Sequence, residues 1–413
     1  MTNVRRTTTI GLLALLATLP PGAGAVEASG SLTLAPESRS DNTASPYFVG
    51  PPVVPPRHRA MRQDLGLRVQ DGGFNMQGTF RVLATEGRQP EWHGIVNQLY
   101  YDGEAGAGQG WTVGRKVMTW GVGFGFRPLD VVQREDRRGL NPPPLVGIPV
   151  LAWETIAADD ALTVVWQRPG SGRGATAAED QAIAVHWYRL AGGADLHAVA
   201  RLSRRNGAEL GVGAGRTLDD EWSLHAAALN QGRYEKRLNR LAETGGLLAT
   251  SDPTVVETRR NAVKAVGGAQ WTGASGFGVL LEAWYDGEAW SRAEWQRLDR
   301  LTARQHALAG LAPRSAIDGN VAWSSQAFDR PNLLRENLMA RLSYDGDQRW
   351  KTSLEWVTTP RDGGRVVTAS VAYEGNRQRI AGGMRWLGGP ADSAYGQAPL
   401  RRAAWLEWRL ALP

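Results

Sequence analysis

Apolar and polar residues alternate along this chain with a period of two, in run after run. A strand is the conformation that turns such a period into two distinct faces. In 350–358, Trp350, Thr352, Leu354 and Trp356 fall on one face, and Lys351, Ser353 and Glu355 on the other. In 379–387, Ile380, Met384 and Trp386 oppose Arg379 and Arg385. In 338–344, Leu338, Ala340, Leu342 and Tyr344 oppose Met339, Arg341 and Ser343. The last run sets Ala404, Leu406, Trp408, Leu410 and Leu412 against Glu407 and Arg409. No stretch beyond the N-terminal segment approaches the ~18 consecutive apolar residues of a membrane-spanning helix. If the chain crosses a membrane, it crosses with strands.

A soluble sandwich shows the same alternation with the meaning of the faces exchanged. Two observations favour the membrane. Large aromatics sit near strand ends on the apolar face, and charged residues, mostly Arg, recur on the opposite face. The chain holds 17 Trp and 50 Gly. Trp and Tyr concentrate at membrane–water boundaries, and Gly serves many tight turns. A soluble Trp-rich, sugar-binding β protein is the competing reading of this composition. The mean hydropathy of −0.34 does not separate the two, because only alternate barrel residues face lipid.

The N-terminus reads as an export signal over residues 1–25. Arg5 and Arg6 form a basic region, Ile10–Leu19 a short apolar run, and Ala23-Gly24-Ala25 a cleavage site. Residues 26–64 read as an extended N-terminal segment without a core, broken by Pro46, Pro51, Pro52, Pro55 and Pro56. Residues 65–413 read as one antiparallel transmembrane β-barrel of about 16 strands, within a range of about 14–18. The chain contains no cysteine, so an exported barrel of this kind is held by packing and a closed hydrogen-bond network, with no disulfides.

A short repeat marks hairpins. Tyr101-Asp102-Gly103-Glu104 and Tyr285-Asp286-Gly287-Glu288 are identical, and Tyr344-Asp345-Gly346 and Tyr373-Glu374-Gly375 are close variants. Asp-Gly is a strong tight-turn signal. Two segments break the strand texture. Residues 127–149 carry five prolines and cannot form a barrel strand. They are expected as an outer loop or a loop folded into the lumen, with Asp130, Arg134, Arg137 and Arg138 as constriction candidates. Residues 291–308 place Trp295, Leu298, Leu301, Gln305 and Leu308 at helical spacing, which predicts a short amphipathic loop helix.

Signals for catalysis are sparse. None of the six histidines stands at a recognisable ligand spacing. His186 and His197 are expected to face each other across one hairpin, as a polar lumen pair or, less often, a metal site. No G-x-S-x-G or phosphate-binding loop occurs. Gly121-x-Gly123-x-Gly125 is followed by Phe126-Arg127-Pro128 instead of a helix. An outward Ser–His pair acting on lipid, for instance His225 with Ser203 or Ser223, is the enzymatic alternative.

The stretch Gly110–Asp130, with Gly114-Arg115, Trp120-Gly121 and Pro128-Leu129-Asp130, resembles a pattern in bacterial outer-membrane porin-like barrels, including relatives of the alginate exporters. The resemblance covers about 20 residues and implies a barrel with Arg115 pointing into the lumen and the following loop shaping the pore.

The expected function follows from the faces. Arg115, Arg201, Arg341, Lys351, Arg379 and Arg385 are read as lumen-lining, which suits a passive channel for small or oligomeric anionic solutes in the outer membrane of a Gram-negative cell. Inward Glu282, Glu355 and Glu407 weigh against a purely cationic lumen. A barrel enzyme, or a structural or adhesion barrel with a filled lumen, is the alternative. No cofactor is expected. The expected partners are outer-membrane lipids, lipopolysaccharide and the barrel-assembly machinery. The net charge of +6 is too modest to suggest nucleic acid.

Overall fold

The computed structural model describes residues 26–133, 141–168, 180–346 and 349–412. They build one sheet of eighteen strands. In chain order these are β1 (Glu27–Asp41), β2 (Arg59–Asp71), β3 (Phe74–Thr85), β4 (Glu91–Gly106), β5 (Gln109–Lys116), β6 (Ile148–Ile156), β7 (Asp160–Gln167), β8 (Ala182–Ala191) and β9 (Ala194–Ser203). They continue as β10 (Gly207–Thr217), β11 (Trp222–Asn239), β12 (Thr254–Thr272), β13 (Phe277–Asp286), β14 (Glu336–Tyr344), β15 (Trp350–Thr359), β16 (Gly364–Glu374), β17 (Gln378–Gly388) and β18 (Leu400–Leu412). Each strand pairs antiparallel with the next, as in β2 with β3 and β9 with β10. β18 returns to β1 with Gly30 opposite Leu412 and Ser38 opposite Ala404. The sheet is therefore closed and has no free edge, the condition a sheet must meet inside lipid.

The polarity of the wall is that of a membrane barrel. Leu202, Leu210 and Val212 point outward and are 66%, 62% and 62% exposed, and Leu281, Leu342, Leu354 and Leu406 also stand exposed. Asn97, Arg201, Glu209, Gln231, Lys264, Glu282 and Glu407 point inward and are buried. Leaving a Leu-sized side chain in water forfeits about 1.5–3 kcal/mol. An outer face built of such residues is stable only against lipid.

The first strand corrects one expectation. β1 lies within 26–64, so the barrel begins at Glu27 instead of residue 65, and the prolines at 46–56 fall in the β1–β2 connection. β1 itself is rich in Ser and contains Pro36, which lacks an N–H. Its ladder with β18 skips Ala35 and Pro36 between Leu34–Trp408 and Glu37–Trp405. The repeat is also only partly a turn marker. Asp345-Gly346 follows β14 and Glu374-Gly375 straddles the end of β16, but Asp102-Gly103 continues β4, and Asp286-Gly287 straddles the end of β13 at the long β13–β14 connection.

The connections alternate in length. Short connections link β2–β3, β4–β5, β6–β7, β8–β9, β10–β11, β12–β13, β14–β15 and β16–β17 on the end that also carries Glu27 and Leu412. The opposite end carries the long connections. The longest, between β13 and β14, contains α2 (Arg292–His306) and α3 (Arg314–Ser325), and the β11–β12 connection starts with α1 (Arg240–Thr244). α2 is the helix expected over 291–308. Ser291 caps it and Glu294 closes a reciprocal capping box. Its Trp295, Leu298 and Leu301 pack with Tyr47, Leu238, Leu334, Ala394 and Tyr395 from four other parts of the chain.

α2 is also tied by charge. Glu294 accepts from Lys236 (2.7 Å) and Arg259 (2.6 Å), and Arg292 reaches Asp392 (2.8 Å). Burial alone raises the Glu294 carboxyl. The hydrogen bonds from Lys236 and Ser291, with the charge of Lys236 and the Arg259 contact, outweigh it and hold the group at about 2, below its ordinary 4.5.

Candidate solute pathway in the lumen

After Lys116 the chain leaves the wall and does not return until Ile148. The described part of this excursion enters the barrel. Leu129, Val131 and Val132 are buried against Val150, Ala152, Val165, Ala184, Val199, Ala227 and Leu229 on the inner face of β6–β11. This sector of the wall uses small residues because the loop occupies the space. A Cβ at Gly211 would sit 2.6 Å from Leu129 Cδ2, and one at Gly213 would sit 2.8 Å from Cδ1. The two glycines form the recess that seats Leu129.

Three polar ties fix the loop. Asp130 Oδ1 accepts from the backbone N–H groups of Trp120 and Gly121, both at 2.6 Å. Glu282 on β13 accepts from the N–H groups of Phe124 (2.7 Å) and Gly125 (2.6 Å), and its Oε1 lies 2.6 Å from His225 Nε2. A Cβ at Gly125 would lie 3.0 Å from both the Glu282 carboxylate and the Met339 sulfur, so glycine permits this approach. On the far wall Asn141 donates to Glu407 (2.6 Å), and its carbonyl accepts from Arg62 (2.8 Å). The described parts of the excursion are thus tied to β13 on one side and to Arg62 of β2 and Glu407 of β18, which flank β1, on the other. Of the two options for 127–149, the described part, 127–133 and 141–149, takes the lumenal one, and the excursion starts about ten residues earlier, after Lys116.

Above the loop, toward the long connections, lies a cavity of about 3230 Å³. Phe124, Phe126 and Asp130 of the loop line it from below, and Arg62, Arg81, Arg341 and Arg385 from the wall. Phe328, Trp290 and Trp323 from the β13–β14 connection line it from above.

The sequence-derived lumen residues separate into groups. Arg341 and Arg385 line this cavity, and Arg385 donates to Thr368 at 2.9 Å. Arg201 faces inward but is buried in an ion pair with Glu209, its cross-strand partner, and does not line the cavity. Lys351 and Arg379 lie on the inner face toward the short-turn end. Lys351 pairs with Glu374 (3.0 Å) and Arg379 with Glu407 (2.8 Å). Arg115 stands opposite Leu99, on the register of the outward face. At the end of β5 its guanidinium turns to the Gly147 carbonyl (3.1 Å) at the cavity margin. Lys116 takes the inward position and binds Asp102 at 2.9 Å. Asp130 is the loop's internal tie. Arg134, Arg137 and Arg138, like the signal segment 1–25, lie outside the described residues.

Sequence reasoning missed Arg62, because β2 straddles the boundary at residue 65, and Arg81, because β3 was not among the runs whose faces were read. Arg81 binds Asp64 through two bonds (2.7 and 3.0 Å). The alternation of Arg62 with Asp64, and of Arg81 with Thr79, was the available signal. His225 faces inward against Glu282, and Ser203 and Ser223 share the inward register. The outward Ser–His pair considered for these residues is therefore not built. His186 and His197 do meet across the β8–β9 hairpin, Nε2 to Nδ1 at 3.0 Å. Among the described residues no cluster of three His, Asp or Glu offers a metal site.

No family model matches this chain, and no curated protein matches it. Solved structures do. Pseudomonas aeruginosa OccK5 (OpdH) aligns over 94% of this chain and 98% of its own, with 9% identity and a TM-score of 0.57. Acinetobacter baumannii OccAB2 aligns over the same shares with 9% identity and a TM-score of 0.54. A triple mutant of the Rhodopseudomonas blastica porin aligns over 94% of this chain and 100% of its own, with 10% identity and a TM-score of 0.42. With its closed wall, inverted polarity and lumenal loop, the chain has the fold of the porin-like outer-membrane β-barrels.

Proposed function

We propose that this barrel is a passive diffusion channel for small or oligomeric water-soluble solutes, with a preference for anions. The observation that carries the reading is the state of the charges lining the cavity. Most carboxylates there are already committed. Glu37 is bound to Arg39, Asp41 to His58 (2.8 Å), Glu235 to Arg205, Asp286 to Asn332 (2.8 Å) and Glu288 to Lys264 (3.0 Å). Asp130 is spent on backbone N–H groups. By contrast, Arg341 has no ion-pair partner among the described residues; Arg385, three strands away on the same cavity wall, donates to Thr368 (2.9 Å). Glu355, opposite Arg341 in register, offsets part of this charge. In this reading Arg341 and Arg385 make the wall that faces the loop locally positive. A positive constriction in a low-dielectric wall concentrates anions and lowers their barrier.

The test is the reversal potential of the purified protein in a planar bilayer under a KCl gradient. The proposal expects a chloride-selective sign, and a shift toward zero for the Arg341→Ala/Arg385→Ala double variant. A cation-selective reversal potential in the unmodified protein contradicts the anion preference.

A further inference from the structure

We propose that the His186–His197 pair is a proton-sensitive support for the near limb of the lumen loop, read from the short-turn side of the barrel. It deepens the channel reading by assigning that channel a regulator. The two imidazoles are stacked, with ring centroids 5.3 Å apart, and their facing nitrogens lie 3.0 Å apart. Trp120 of the loop stacks on His186 at 5.0 Å and 19°. Trp120 also begins the turn held by Asp130. Neither histidine lines the large cavity on the other side of the loop. The pair sits between the loop and the short β8–β9 turn.

A 3.0 Å nitrogen–nitrogen contact needs one N–H and one lone pair. Two neutral rings satisfy it, and so does one neutral ring with one charged. Two charged rings do not, because two N–H groups would then face each other and two cations would touch. The first proton is accommodated and the second separates the rings.

The neighbours set the order. Tyr188 on β8 packs on His197 at 5.4 Å and donates to Asp195 (2.5 Å) on β9, so a carboxylate lies on the His197 side. His186 faces Thr163 on β7, whose hydroxyl donates to Glu154 (3.0 Å) on β6. On β10, Gly213 stands opposite His197 and contributes no charge. His197 therefore takes the first proton and His186 the second. Displacing His186 removes the surface on which Trp120 is stacked. The farther limb keeps its own ties through Glu282 and Leu129, so the effect is confined to Val117–Gly121.

Histidine ordinarily titrates between about pH 5 and 8, and the second proton of a touching, buried pair binds below that range, which sets the experiment. Hydrogen exchange of the full chain in detergent is compared at pH 7 and at about pH 4 after correction for intrinsic rates. The proposal expects amides of 117–121 to lose about tenfold in protection, with 124–133 unchanged. Single-channel recording, with each chamber acidified in turn, should show added flicker from the short-turn side only. The His186→Gln/His197→Gln variant should lose both responses. Unchanged protection of 117–121 in the unmodified protein overturns the proposal without touching the channel reading. Absence of any conductance overturns the channel reading while the exchange test still stands. Equal loss of protection across 117–133 also contradicts it, since that is general loosening.

Discussion

At the scale of single residues, the lumen is organised by a few side chains whose partners lie far away in sequence. Alternation identified the inward face of Arg201 correctly. It could not show that Glu209 stands opposite, because register is a property of the pair and not of either strand. Arg115 shows the opposite case, since it keeps the outward register of Val113 and only its side chain turns to the cavity margin. Leu129 is a core residue inside a membrane pore, seated by Gly211 and Gly213. Leu129→Ala removes that seat contact and should destabilise the loop by about 3 kcal/mol, the usual cost of an internal Leu-to-Ala cavity. Single-channel recording would then show a larger and noisier conductance than the parent. Gly211→Leu, which fills the recess, should do the same. An unchanged conductance in both variants would mean that Leu129 does not hold the constriction.

At the scale of elements, the strands were legible where their outer face is long and apolar. β14, β15, β17 and β18 are of this kind. β1 was not legible, because only Leu32 and Leu34 mark its outer face before Pro36 interrupts the pattern. The 17 Trp were one signal in the sequence and are two groups in the structure. Trp153, Trp166, Trp350, Trp356 and Trp386 face outward, whereas Trp284, Trp290 and Trp295 pack inside. Helix α2 was legible from its spacing. Its ties to Lys236 and Arg259 were not, because those strands reach it only through the fold.

The pH dependence of the α2 cap follows from Glu294. Its pKa is lowered on folding, so the stabilisation is complete above the unfolded value near 4.5 and is lost as pH falls toward about 2. The difference amounts to about 3 kcal/mol for a side chain this buried. Hydrogen exchange in 292–306 should therefore accelerate between pH 5 and pH 3, as intrinsic rates allow, in about the range set by those two values. Glu294→Gln should start from the weakened state and show little further change. A flat response in the parent protein would show that the Lys236–Glu294–Arg259 cluster does not hold the helix.

At the scale of the whole molecule, the sequence dictated a closed wall more clearly than it dictated a pathway. Inverted polarity and the lack of an apolar helix leave a barrel as the only spanning form, and the eighteen strands lie at the upper end of the expected range. What the alternation could not convey is how much of the lumen the chain itself fills. The β5–β6 excursion crosses the interior, and the β13–β14 helices pack over the far mouth. Whether water and solute still pass between them decides the central claim. The most direct measurement is single-channel conductance of the purified protein in a planar bilayer. The account predicts discrete openings with a steady conductance carried between the loop and the Arg62–Arg81–Arg341–Arg385 wall. Reproducible insertion without any conductance would contradict it and make this a barrel with a filled lumen.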